Sequence, residues 1–281
     1  INAWFGDANF KFDGTNGEVL TRIPEFYYKR YQEDGYEYIS ISPIEEEGYT
    51  RSPEFSVGRY DSSYDTSIHS ISNTLPEVQR NITSFRTLSQ ALGSNFGQMD
   101  YHYFLLEMLY LVEYADYNSQ SVLGSGHTGY RYSADDKALI AETGTNRIVI
   151  NTTGGSAFVV GQYIHIGTAA GNTSIAKYRK ITSITDYSSG EVTGKSITFD
   201  GASVNIAVDN VVYSSGQKSG DCDSLGMKSG TVNNDGKHGV IYRGIENIFG
   251  NVWQFVDGIN VKNNVAYINY NPSTYAVDTF T

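Results

Sequence analysis

Hydrophobic and polar positions alternate in short runs through most of the chain. Val19-Leu20-Thr21-Arg22-Ile23 and Phe26-Tyr27-Tyr28-Lys29 are β-branched and aromatic, with Pro24 between them. Asp34-Gly35 predicts a hairpin turn joining strands at 26–31 and 36–41. In the second strand Tyr36, Tyr38 and Ser40 share one side, and Ile39 and Ile41 the other. The period then lengthens. Asn81 or Thr83 is placed to cap a helix running to about Leu92, with Gly93 as its stop. Asp100 is placed to cap a second helix. There Tyr101, Phe104, Leu105, Met108, Leu109, Leu111 and Val112 fit the i, i+3, i+4, i+7 template. So wide a stripe predicts a helix buried around most of its circumference, with Glu107 and Glu113 at its polar edges.

The character changes again near Arg147. Short β-branched runs at 147–152, 157–166, 178–185, 196–199, 204–208 and 211–213 are punctuated by Gly154-Gly155, Gly171-Asn172, Ser189-Gly190, Asp200-Gly201 and Asp209-Asn210. Six strands at this spacing predict a small barrel or sandwich. The chain is accordingly divided into 1–145, the first part of a main domain; 146–216, an inserted β-domain; and 217–281, the continuation of the main domain. Insertions of this kind are tolerated in exposed host loops whose ends lie close together. The expected class is α+β.

Composition narrows the functions. The chain has 281 residues, a net charge of −11 and no basic run. Phosphate contacts need clustered Lys and Arg, so nucleic acid is not an expected partner. No apolar stretch reaches the roughly 18–20 residues of a membrane span, so no membrane insertion is expected. A first residue of Ile1 rather than Met suggests a fragment or a processed chain. There are 23 Tyr among abundant Gly, Ser and Asn. That palette suits a binding surface, where Tyr gives amphipathic area at low entropic cost. A β-rich chain with Tyr in its strands accounts for the same palette.

The most distinctive stretch is Gly250-Asn251-Val252-Trp253-Gln254-Phe255-Val256. It resembles the Gly-Asn-Val-Trp-Glu-Trp-Val segment of the formylglycine-generating-enzyme and sulfatase-modifying-factor family. That family has a C-type-lectin-like fold, shared by the variable proteins of diversity-generating retroelements. The chain is also similar to tail-associated structural proteins of phages and prophages of gut-type bacteria. That similarity is carried by Ile-Pro-Glu-Phe-Tyr-Tyr-Lys at 23–29, by the helix end at 109–120 and by the Arg-Gly-Ile-Glu-Asn segment opening 243–258. The resemblance implies a C-type-lectin-like main domain with two helices and short antiparallel strands, interrupted by the inserted β-unit. It implies a non-enzymatic adhesion or receptor-binding protein of the virion, at a tail fibre or baseplate. Its partners would be a bacterial surface glycan or protein, other virion proteins and further copies of itself. A purely structural virion component, such as a decoration, head-fibre or baseplate protein, is the alternative, and a glycan-active or formylglycine-generating-type enzyme is the third and least favoured reading. Resembling proteins continue beyond the position of Thr281, so the resemblance does not place the ligand-binding residues on this chain.

Within the motif, Arg243, Gly244, Glu246, Asn247, Gly250, Asn251, Trp253, Asp257 and Gly258 are expected to lock the fold. Val252, Trp253 and Phe255 offer large apolar area for burial. The glycines suit tight turns, and the Asn and Glu side chains suit buried backbone groups in irregular segments.

Catalytic chemistry finds little support. Oxidation of the formylglycine-generating type needs reactive cysteines, and the chain has only Cys222, flanked by Asp221 and Asp223. Neighbouring carboxylates suppress its thiolate. His69, His102, His127, His165 and His238 show no metal-binding spacing. Asp135-Asp136, or Asp221 with Asp223, have the donor chemistry to hold Ca²⁺ with loop carbonyls, and solvated loop acids are the alternative reading. No other cofactor is expected.

Overall fold

The computed structural model describes residues 2–78 and 80–275. The chain ends, Ile1 and Thr281, lie outside the described residues. Among the described residues the strands, 32%, are spread over several small sheets with no closed barrel, and helix accounts for 14%. That content overturns the expected α+β class, with its C-type-lectin-like main domain and inserted barrel or sandwich. Among the described residues only two helices exceed a single turn, and frequent left-handed turns at Gly and Asn cut the strands into short pairs.

In the N-terminal region β1 (Leu20–Ile23) pairs with β5 (Phe55–Gly58). Between them β2 (Phe26–Glu33), β3 (Tyr36–Ser42) and β4 (Thr50–Ser52) form a three-stranded sheet in the order β3-β2-β4. The β2–β3 turn is Asp34-Gly35, both with positive φ, as a two-residue hairpin loop requires. Ile39 and Ile41 face the core, whereas Tyr36 and Tyr38 are exposed, and Tyr38 stacks on Tyr31 at 5.0 Å. A short pair, β6 (Ser63–Tyr64) and β7 (Ile68–His69), follows.

Helix α1 (Ile82–Ala91) is capped by Asn81, whose side chain accepts from Ser84 N at 2.8 Å. Its C-cap is Leu92, followed by Gly93 with φ 141°. Helix α2 (His102–Tyr114) has Tyr101 rather than Asp100 at its N-cap position, although Asp100 accepts from His102 N. The buried face of α2 differs from the predicted one. Leu105, Leu106, Met108, Leu109 and Tyr110 are buried, while Phe104 and Val112 are exposed. Leu106 lies off the predicted stripe, yet it packs in the cluster of Ile23, Phe26, Leu105, Leu109 and Ile245. A third helix, α3 (Ser119–Val122), is a single turn.

From β8 (Glu142–Thr145) onward the chain builds its largest sheet. β9 (Arg147–Ile150), β10 (Tyr163–Gly167), β11 (Ala176–Ser189), β12 (Val192–Phe199) and β14 (Val211–Ser214) run antiparallel in the order β14-β10-β11-β12-β9. The remaining run, β13 (Val204–Ile206), pairs instead with β8. The sheet is open, because edge strands β14 and β9 do not meet. One predicted strand segment is partly helical. Asn151 accepts from Gly154 N and caps α4 (Thr152–Gly155), whose Gly155 leaves no room for a Cβ against Lys195. The cluster beneath this sheet, including Ile148, Ile150, Ile164, Ile166, Ile197 and Val212, draws its buried residues only from between Ala138 and Val212.

The chain then returns to the first core. Val240 and Tyr242 pack on Tyr110 and Leu123. β15 (Ile241–Tyr242) and β16 (Ile245–Glu246) form a minimal hairpin. A last hairpin, β17 (Ile259–Lys262) with β18 (Val265–Ile268), stands largely exposed.

Candidate functional site

The segment 243–258 runs as a chain of tight turns. Arg243 and Gly244 both have positive φ and close the β15–β16 hairpin. Gly244 O accepts from Arg59 Nη1 at 2.7 Å, and Glu246 N donates to Arg59 O at 2.7 Å. The Arg59 guanidinium is buried. It pairs with Asp223 at 3.0 Å and lies over the Phe12 ring at 4.9 Å. One arginine, directly after β5, therefore joins the N-terminal segment, the turn at Asp223 and the motif. Arg243 itself donates to Glu113 on α2 at 3.2 Å.

Glu246 is buried and accepts from Gly220 N and Cys222 N, each at 2.9 Å. Burial pushes its carboxyl up to about 8 despite those two bonds. Cys222 is sealed beside it. Burial first, then Glu246, Asp221 and Asp223, push the thiol far above its usual range. Asn247, with φ 50°, donates its backbone N–H to Val240 O at 2.7 Å.

Gly250 and Asn251 pack on the backbone of His127. A Cβ on Gly250, at φ 83°, would stand 3.1 Å from His127 N, and Asn251 N donates to His127 O at 2.9 Å. The buried Asn251 amide accepts from Gln217 N at 2.7 Å and donates to Asp61 at 3.0 Å. Tyr130 Oη donates to Asn251 O. His127 is fully buried and neither ring nitrogen has a hydrogen-bond partner; burial lowers it to about 4.

Trp253 departs from expectation. Its burial was predicted, but its side chain is fully exposed, at 102%. Phe255 is also exposed. The inward place in this turn is held by Asn251, whose amide satisfies buried backbone groups that an indole cannot. Gln254, next to Trp253, donates to Asp61 Oδ1 at 3.0 Å and to Asn247 O at 2.9 Å. Asp257 is buried and holds Arg86 of α1 by two bonds, at 2.7 and 2.9 Å. It also accepts from Gly258 N at 2.9 Å.

These turns form one wall of a cleft of about 690 Å³. Opposite stand α1 and the loop leading into α2, including Phe85, Arg86, Phe96 and Gln98. Asp61 lines the cleft half-buried, and burial raises its carboxyl to about 7. The amide of Gln98 is shielded from water and has no hydrogen-bond partner. The volume falls in the range of small-ligand sites, roughly 300–1,000 Å³.

The carboxylate pairs singled out for calcium do not converge. Asp136 is fully buried and pairs with Arg131, Asp223 with Arg59, and Asp221 with Lys180 at 2.7 Å, while Asp135 is exposed. Among the described residues no group of three or more His, Cys, Asp or Glu is placed to hold a metal ion. His69 pairs with Glu18, His102 with Asp100 and His238 with Asp235, at three separate places in the sequence.

Arg59, Asp61, Arg86 and Tyr130 are the framework residues that sequence reasoning missed. Each meets the 217–258 region across more than 100 residues. The visible signals were their complements, Asp223, Asp257 and Asn251. Comparison of the chain with protein-family models, curated proteins and solved structures gave no match.

Proposed function

We propose that the chain is a non-enzymatic adhesion protein of a phage tail, attaching the particle to a bacterial surface through several copies acting together. The observation that carries this reading is the bare Trp253 at the rim of a cleft, on a turn whose polar side chains Asn251, Gln254 and Asp257 are held by hydrogen bonds. An exposed indole on a rigid frame gives contact area with little ordering cost. The sequence similarity to phage tail-associated proteins supplies the setting. Weak single sites gain avidity when several are presented on one particle. Among the described residues no helix is long and apolar enough to cross a membrane, which accords with a particle-borne protein.

A second reading, a purely structural virion component, is favoured by the β17–β18 hairpin. Ile259, Val261, Ala266 and Ile268 share one of its faces by register, and none belongs to a core cluster. Such a face suits burial against another subunit.

The test is retention of bead-displayed chain on envelopes from a panel of gut-type bacteria. Retention on some strains and not others is expected for adhesion. No retention on any strain, together with binding to purified virion proteins, selects the structural reading.

A further inference from the structure

We infer that the cleft between α1 and the 245–257 turns is a binding site for a neutral oligosaccharide, with the Trp253 indole as its stacking platform. The inference rests on the adhesion reading and gives that reading a place and a ligand class.

Three observations select the ligand. The platform comes first. Trp253 is wholly exposed and Phe255 nearly half exposed, and both line the cleft with Phe96. A sugar ring offers an apolar C–H face to such a platform and hydroxyls at its edge. The edge groups come second. Asp61 lines the same cleft and is bonded to two amides, Asn251 Nδ2 and Gln254 Nε2. Gln254 directly follows Trp253, so the acceptor and the platform are adjoining. A carboxylate has about four acceptor sites, and two are used here.

Charge comes third. Of the other acids around the cleft, four are paired with cations, Asp257 with Arg86, Asp100 with His102, Glu54 with Arg22 and Glu77 with Arg80, and the buried Glu246 accepts from Gly220 N and Cys222 N. The cations are consumed in the same pairs, so nothing is set out to receive an acidic sugar. The net charge of −11 repels one further. Asp61, held by two side-chain amides, is an acceptor for hydroxyls; with Glu246 buried against backbone N–H groups, it does not form the acidic nest a cationic peptide would need.

The experiment uses the full chain on an array of neutral, uronic-acid-bearing and amine-bearing oligosaccharides, in parallel with the envelope-retention assay. Neutral glycans are expected to bind. Trp253→Ala is expected to weaken binding about tenfold or more, as loss of an aromatic anchor does. Tyr117→Ala, exposed in the loop after α2 and outside the cleft lining, is expected to leave binding unchanged. Because the chain has two tryptophans, Trp4→Phe leaves Trp253 as the sole indole, and its emission should shift to the blue on titration with a bound neutral glycan. Envelope retention that survives Trp253→Ala overturns this site while the adhesion reading stands. Preference for acidic or amine-bearing glycans overturns the ligand class. Wild-type chain that binds neither glycans nor envelopes overturns both.

Discussion

Asn251 and Trp253 stand two residues apart and meet opposite fates. The amide is buried because three backbone or carboxylate groups need it; the indole is outside because no group does. Asn251→Ala should therefore cost about 1–3 kcal/mol, since it strands Gln217 N and one bond of Asp61 without partners. Trp253→Ala should change stability by no more than about 0.5 kcal/mol, as exposed positions do. Chemical denaturation of the two variants checks both, and a large loss in the second would mean that the indole packs somewhere after all. Gly250 is the third sensitive position. Its left-handed backbone and the His127 backbone at 3.1 Å leave Gly250→Ala both strained and crowded, at a cost above about 1 kcal/mol.

Among the elements, α2 shows what sequence periodicity conveys and what it omits. The stripe located the helix, and the cap and stop residues located α1, because those signals are local. The direction of the buried face was not local. It is set by Ile23, Phe26 and Ile245, which draw Leu106 inward and leave Phe104 outside. Leu106→Ala should cost about 3 kcal/mol and Phe104→Ala much less, and a reversal in thermal melts would return the helix to its predicted orientation. The six β-runs near 147–213 were legible from their punctuation, but not the departure of β13 to pair with β8, nor the open edges of the sheet. The site was less legible still. Its turns announced themselves through Gly and Asn, while Arg59, Asp61 and Arg86 are ordinary polar residues until the fold closes. Arg86 with Asp257 ties α1 to the motif with little solvent at either side chain. Removing one partner leaves the other charge buried, so Arg86→Ala should cost about 3 kcal/mol.

At the scale of the molecule, buried ionisable groups give stability a predictable pH profile. Glu246 and Asp61 are raised to about 8 and about 7, so the folded state keeps protons that the unfolded chain releases above its ordinary carboxyl range. Their contribution declines as pH rises toward 8. His127 and His165 are lowered to about 4, so the unfolded chain binds their protons first on acidification, and their contribution declines as pH falls through 6.5 toward 4. The two effects oppose each other between about pH 4.5 and 6.5, so the melting temperature should stay nearly level there and fall by pH 8, and Glu246→Gln should flatten the alkaline limb. An alkaline limb unchanged in that variant would assign the decline elsewhere. The sealed thiol beside Glu246 offers a clock on the same region. In the native protein an alkylating reagent can reach Cys222 only when the Arg59–Glu246 junction opens, so its modification rate measures how often the two ends of the chain's long-range framework let go.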